Sequence, residues 1–140
     1  MYCLQHHDSE MLYNAEELAS IMAAKSLKLD SLDLDLKNPR IKQASDQRDA
    51  MRAVINDQKV KLINLAESFA VKGFSPIDRC LILRSPTRTG HFVVLEGNRR
   101  VLAAKLLKSP PLVAGLEMPE AHKKRLHRAA ESFPSDRFGR

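Results

Sequence analysis

The sequence predicts an α+β domain, a small mixed sheet flanked by helices, and three observations lead there. Residues 32–36, Leu-Asp-Leu-Asp-Leu, alternate with the two-residue period of a half-buried strand. Residues 80–83, Cys-Leu-Ile-Leu, form a continuous apolar run between Arg79 and Arg84, and residues 91–95 return as a second apolar run after a loop. Around these runs, apolar residues recur at helical spacing near 46–55, 62–70, 98–107 and 120–130.

In chain order, residues 1–13 show no clear pattern. From Asn14 a capping residue stands three before Glu17, with Leu18, Ile21 and Met22 at helical spacing. This acidic amphipathic helix docks either on its own domain or on a partner subunit, which leaves a homodimer open. The strand at 32–36 puts three leucines on one face and leaves Asp33 and Asp35 as solvated strand-face residues rather than metal ligands. It stops at Asn38-Pro39-Arg40, where proline fixes the chain direction and keeps Asn38 out of the helical region.

Asp46 caps a helix that buries Ala50, Met51, Val54 and Ile55. After Asn56-Asp57 a second helix buries Leu62, Ile63, Leu65, Ala66, Phe69 and Ala70, closed by Gly73 in a left-handed conformation. The 80–83 run suits a strand buried on both faces, with Cys80 a core residue rather than a nucleophile. A helix from Asn98 buries Val101, Leu102, the stem of Lys105 and Leu106, and stops at Ser109-Pro110-Pro111. Pro119-Glu120 opens a last helix with Ala121, Leu126, Ala129 and Ala130 inside and a basic outer face, which either tracks DNA phosphates or is simply solvated. Residues 133–140 read as a tail or a cut edge.

Three segments result: an acidic helical extension over 1–27, a core over 28–109, and a basic helix with tail over 110–140. Their charges differ, with four acids against one base in the first, sixteen bases against nine acids in the second and six against four in the third. The formal charge of +6 and a pI near 9.5 therefore point to a polyanionic partner at the core.

Several chemistries are excluded. Aromatics make up 5% of the chain and tryptophan is absent, which removes a base-stacking platform. His122 and His127 are five apart, about 140° around a helix, so they are no zinc pair. The sequence holds no Gly-x-Ser-x-Gly and no Gly-Lys-Thr phosphate loop. Two cysteines without a CxxC pairing, no signal-like start and no 18-residue apolar span imply a reducing, cytoplasmic setting and no membrane.

One stretch organises the rest. Residues 93–107 run from a short apolar strand through Glu96-Gly97-Asn98 into a helix opening on Arg99 and Arg100. The first turn of a helix has unpaired N–H groups, a preceding glycine admits a phosphate closely, and two forked guanidinium groups match its geometry. The macrodipole is worth only about 0.3 to 1 kcal/mol at an exposed site, so the arginines must supply most of the affinity. Arg40, held at a strand end by proline, can reach the same anion. Glu96 is the one acid at the junction and either holds Mg2+, positions a water or pairs with an arginine.

Four pieces together resemble the N-terminal domain of the bacterial chromosome and plasmid partition proteins ParB, in the ParB/sulfiredoxin-like superfamily. They are the strand ending in Asn38-Pro39-Arg40, the helix over 62–71 followed by Gly73-Phe74-Ser75-Pro76-Ile77, the strand at 81–83, and Val94-Leu95-Glu96-Gly97-Asn98-Arg99-Arg100-Val101-Leu102-Ala103-Ala104. The resemblance covers about residues 28–108 and implies a ParB/sulfiredoxin-like fold. It also implies that Gly73, Phe74, Ser75 and Pro76, with Gly97, Asn98, Arg99 and Arg100, contact a nucleoside triphosphate, CTP or ATP, bound with Mg2+. The chain departs from the family at Asn98, where partition proteins usually carry Glu and sulfiredoxins a catalytic cysteine, so sulfiredoxin chemistry is not expected. A third Glu-Asn box and a helix-turn-helix are missing, and a closing strand would have to come from residues 112–116.

Two functions follow as expectations. One is a nucleotide-binding, DNA-associated switch or weak NTPase, with Glu96 as the candidate catalytic acid. The other is a DNA-binding or nuclease-like module whose arginines contact backbone phosphates without a nucleotide. A third class is a protein-interaction domain with an empty ancestral pocket.

Overall fold

A computed structural model describes residues 1–5, 25–75, 77 and 79–133, and is α+β. Five strands form one mixed sheet in the order β2-β1-β4-β5-β3: β1 (Tyr2–Gln5), β2 (Lys25–Ser26), β3 (Leu32–Leu34), β4 (Cys80–Arg84) and β5 (Phe92–Glu96). Antiparallel pairs β1/β2 and β4/β5 alternate with parallel pairs β1/β4 and β3/β5. The helices are α1 (Gln47–Gln58), α2 (Val60–Lys72), α3 (Asn98–Lys108) and α4 (Glu120–Ser132). The helix expected from Asn14 lies outside the described residues.

The pattern-free N-terminus holds a strand. Too short to show a period, β1 is recruited by a distant partner, with Cys3 in register with Cys80. The reading of β4 as buried on both faces is corrected to one: Cys80 and Ile82 are buried, while Leu81 and Leu83 are half-covered. Asp33 is corrected in the opposite sense, from solvated to buried at 7% exposure. The loop entering β5 folds over it, so that Arg88 Nη1 donates to its carboxylate at 2.8 Å and His91 Nδ1 lies 3.5 Å away. A burial pattern read from one strand cannot register a cover supplied 55 residues later.

α3 is the central helix. Asn98, Val101 to Ala104, Leu106 and Leu107 are all buried, giving it apolar contacts nearly all round, as a helix enclosed by others requires. It packs against α1, α2 and α4 as well as β3 and β5. Asp46 caps α1 by accepting from the Asp49 N–H at 2.7 Å, with Ala50, Val54 and Ile55 inward as the spacing predicts. In α4, Leu126 and Ala129 are buried but Ala121 is exposed, because Pro119 caps the helix at the rim and its first turn projects past the core. Phe133 belongs to the core rather than a tail, with its ring 5.7 Å from that of Phe74. Residues Pro110–Val113 make a 3-10 turn rather than a closing strand, tied to α1 by Arg48, which donates to the carbonyls of Leu112 and Ala114.

Candidate functional site: a basic hollow at the start of α3

β3 and β5 run parallel, and the chain leaves both at the same edge of the sheet. There β5 turns through Gly97 into α3, while β3 turns through Asn38-Pro39-Arg40 toward α1. The Asn38 carboxamide accepts the Arg40 N–H at 3.1 Å and sets that second turn. A hollow of about 260 Å³ opens between the two turns and the last turn of α1. Arg40, Glu96, Gly97, Asn98, Arg99 and Arg100 all line it, so residues up to 60 positions apart in sequence converge there.

The corner depends on glycine. Gly97 has φ 101°, and a Cβ there would lie 2.7 Å from Cys80 Sγ. Only a residue without a side chain lets β5, α3 and the sheet meet so closely. Cys80 itself is buried, and its hydrogen bond with Cys3, then its burial, push its thiol well above the ordinary range, consistent with an inert core group.

Asn98 braces the corner. Its Oδ1 accepts the Asp35 N–H at 2.9 Å and its Nδ2 donates to the Val94 carbonyl at 2.9 Å, tying the exits of β3 and β5 to the first turn of α3. With the side chain so engaged, Asn98 offers the hollow its backbone. A carboxylate at this place could accept the first bond but not donate the second.

The arginines differ in their surroundings. Arg99 is exposed and its Nη1 donates to Gln58 Oε1 at 3.0 Å. The Arg40 side chain is exposed and without a hydrogen-bond or ion-pair partner among the described residues, and the Glu96 carboxylate likewise has none. The salt bridge between Glu96 and an arginine, one of the roles open to that acid, is therefore not formed among these residues. Arg100 is half-buried beside them.

Gly73, Phe74 and Ser75 do not line this hollow. Gly73 closes α2, its N–H donating to the Phe69 carbonyl at 2.8 Å. Its φ of 72° with ψ of −170° lies in a region only glycine adopts readily, rather than the left-handed helical one. Phe74 sits 5.0 Å from Phe69 in an edge-on contact, and Ser75 Oγ accepts from the Ile77 N–H. Pro76 lies outside the described residues.

The sequence reading missed Asp57 and Gln58, which form the opposite wall with Val54 and Ile41. Two polar residues at a helix end read as an ordinary interhelical turn, and no local signal marks them. No group of three or more His, Cys, Asp or Glu side chains gathers as a metal site among the described residues. Among the described residues, Glu96 and Asp57 are the carboxylates on the hollow. That donor set suits an ion that arrives on phosphate oxygens and takes one or two protein carboxylates, which is how Mg2+ is usually held.

Fold and hollow together define an α+β domain with a basic cavity at a strand-to-helix corner. No protein-family model matches the chain, and no curated protein or solved structure does. No helix among the described residues is long and apolar enough to cross a membrane.

Proposed function

We propose that this chain is a ParB-like nucleotide-binding domain that grips the phosphates of a nucleoside triphosphate, CTP or ATP, with Mg2+ in the hollow at the start of α3. One observation carries the reading: Arg99 and Arg100 occupy the first turn of a helix, which has no acid, and face a shared cavity with Arg40. Cations at a helix N-terminus oppose the macrodipole and each other, an arrangement that an anion relieves. Arg40, Arg99 and Arg100 hold the phosphates, the first-turn amides of α3 assist, and Glu96 would supply a carboxylate to Mg2+. When bound, the ion supplies charge neutralisation along the phosphates. Filling the hollow draws the turn at 38–40 and the end of α1 toward α3, and through that movement nucleotide binding acts as a switch for a DNA-associated partner surface.

Titration calorimetry with the four ribonucleoside triphosphates and Mg2+ tests this. Saturable binding with a preference for one base supports the nucleotide reading. Absence of binding at millimolar concentration, together with DNA binding that weakens steeply with salt and ignores nucleotide, would instead assign the arginines to backbone phosphate in a nuclease-like or DNA-binding module.

A further inference from the structure

Resting on the reading of the hollow as a phosphate site, we infer that Gln58 and Asp57 are positioning residues: Asp57 orients the Gln58 amide, and Gln58 holds Arg99 over the cavity. The geometry leaves one arrangement. Gln58 Nε2 donates to Asp57 Oδ2 at 2.5 Å, and its Oε1 accepts from Arg99 Nη1 at 3.0 Å. An amide can be turned either way, but a carboxylate only accepts and a guanidinium only donates. Flipping Gln58 would aim an NH2 at Arg99 and an oxygen at Asp57, losing both bonds. Asp57 thus fixes which end of the amide meets the arginine.

Neutrality matters as much as reach. A glutamate at 58 would also accept from Arg99, but it would cancel the charge that phosphate needs. The amide restrains one N–H of the guanidinium and leaves its charge and remaining donors for the ligand.

The backbone supports the same reading. Gln58 ends α1 because Lys59 adopts φ 51° and ψ −127°, the sole positive φ outside glycine among the described residues. A lysine in that conformation is disfavoured, and such outliers persist where the surrounding structure requires them, characteristically beside functional sites. Here the sharp joint between α1 and α2 turns Asp57 and Gln58 onto the wall of the hollow.

The test uses the full chain and inorganic tripolyphosphate with Mg2+ as the probe, read by calorimetry alongside the melting temperature of the unliganded protein. Gln58→Ala is expected to weaken binding about tenfold and Asp57→Asn severalfold, each with the melting temperature within 2 °C of the wild type. Gln58→Glu is the decisive variant. It should weaken binding more than Gln58→Ala, because its charge offsets that of Arg99 and adds to that of Asp57 beside the cavity. A purely structural residue would lose affinity and melting temperature together, and that outcome overturns the inference. So does a Gln58→Glu protein that binds as tightly as the wild type. If the wild type fails to bind tripolyphosphate, the phosphate-site reading itself falls, and the inference with it.

Discussion

The two ends of α3 each carry two basic side chains and treat them in opposite ways. At the C-terminal end, Lys105 Nζ donates to the Leu29 carbonyl and Lys108 Nζ to Asp30, both at 2.9 Å, and both charges sit where the helix dipole favours a cation. At the N-terminal end, Arg99 and Arg100 sit where the dipole disfavours one, and among the described residues Arg99 meets only a neutral amide. One end uses its charges to hold the fold together. The other leaves the Arg99 charge against a neutral amide, where the helix dipole opposes it and an anion would offset it.

The most damaging test of the N-terminal end is Gly97→Ala. The new methyl meets Cys80 Sγ at 2.7 Å in a positive-φ conformation, so the corner must distort. A loss of about 2 kcal/mol or more in chemical denaturation is expected, together with loss of nucleotide binding. A variant as stable as the wild type would show the corner to be less constrained than described.

Next in size is the buried acid beside the other end of α3. Asp33→Asn leaves Arg88 without its charge partner and disturbs His91, and should cost about 1 to 3 kcal/mol with nucleotide affinity unchanged. An equal loss of affinity would mean the two regions are coupled.

Single-charge removals should then differ in sign. Lys108→Ala should lower stability by about 0.5 kcal/mol, whereas Arg99→Ala should leave it unchanged or raise it by a few tenths, as the dipole argument requires. Urea midpoints on the two variants read this directly, and the same sign for both would break the comparison.

The smallest effect is in acid. The hydrogen bond from Lys108 holds the Asp30 carboxyl below its ordinary range. A carboxylate with a lowered folded-state value contributes stability above its unfolded value and loses it as pH falls through the folded one. Stability should therefore decline a little more steeply below about pH 4 in the wild type than in Lys108→Ala, by no more than a few tenths of a kcal/mol because Asp30 is largely exposed.

Much of the fold was legible because it is written locally. Asp46 with Ala50, Val54 and Ile55, the apolar face of α2, and the junction at Gly97 each announce themselves within a dozen residues. What escaped depends on distant partners. The strand β1 exists because Cys3 finds Cys80, Asp33 is buried because a remote loop covers it, and Phe133 is inside because Phe74 receives it. The candidate site divides the same way. Arg40, Glu96, Gly97, Arg99 and Arg100 could be nominated from residue type and spacing, while Asp57 and Gln58 gain meaning only once α1 ends across the hollow from α3.

The central claim, that the charges at the start of α3 serve a ligand and those at its end serve the fold, is tested most directly by titrating Mg2+ and the best-binding ribonucleoside triphosphate into wild type, Arg99→Ala and Lys108→Ala. Saturable binding is expected for the wild type, with affinity within about twofold for Lys108→Ala and a loss of about a hundredfold or more for Arg99→Ala. Equal affinity for Arg99→Ala and the wild type, or a comparable loss in both variants, would contradict it.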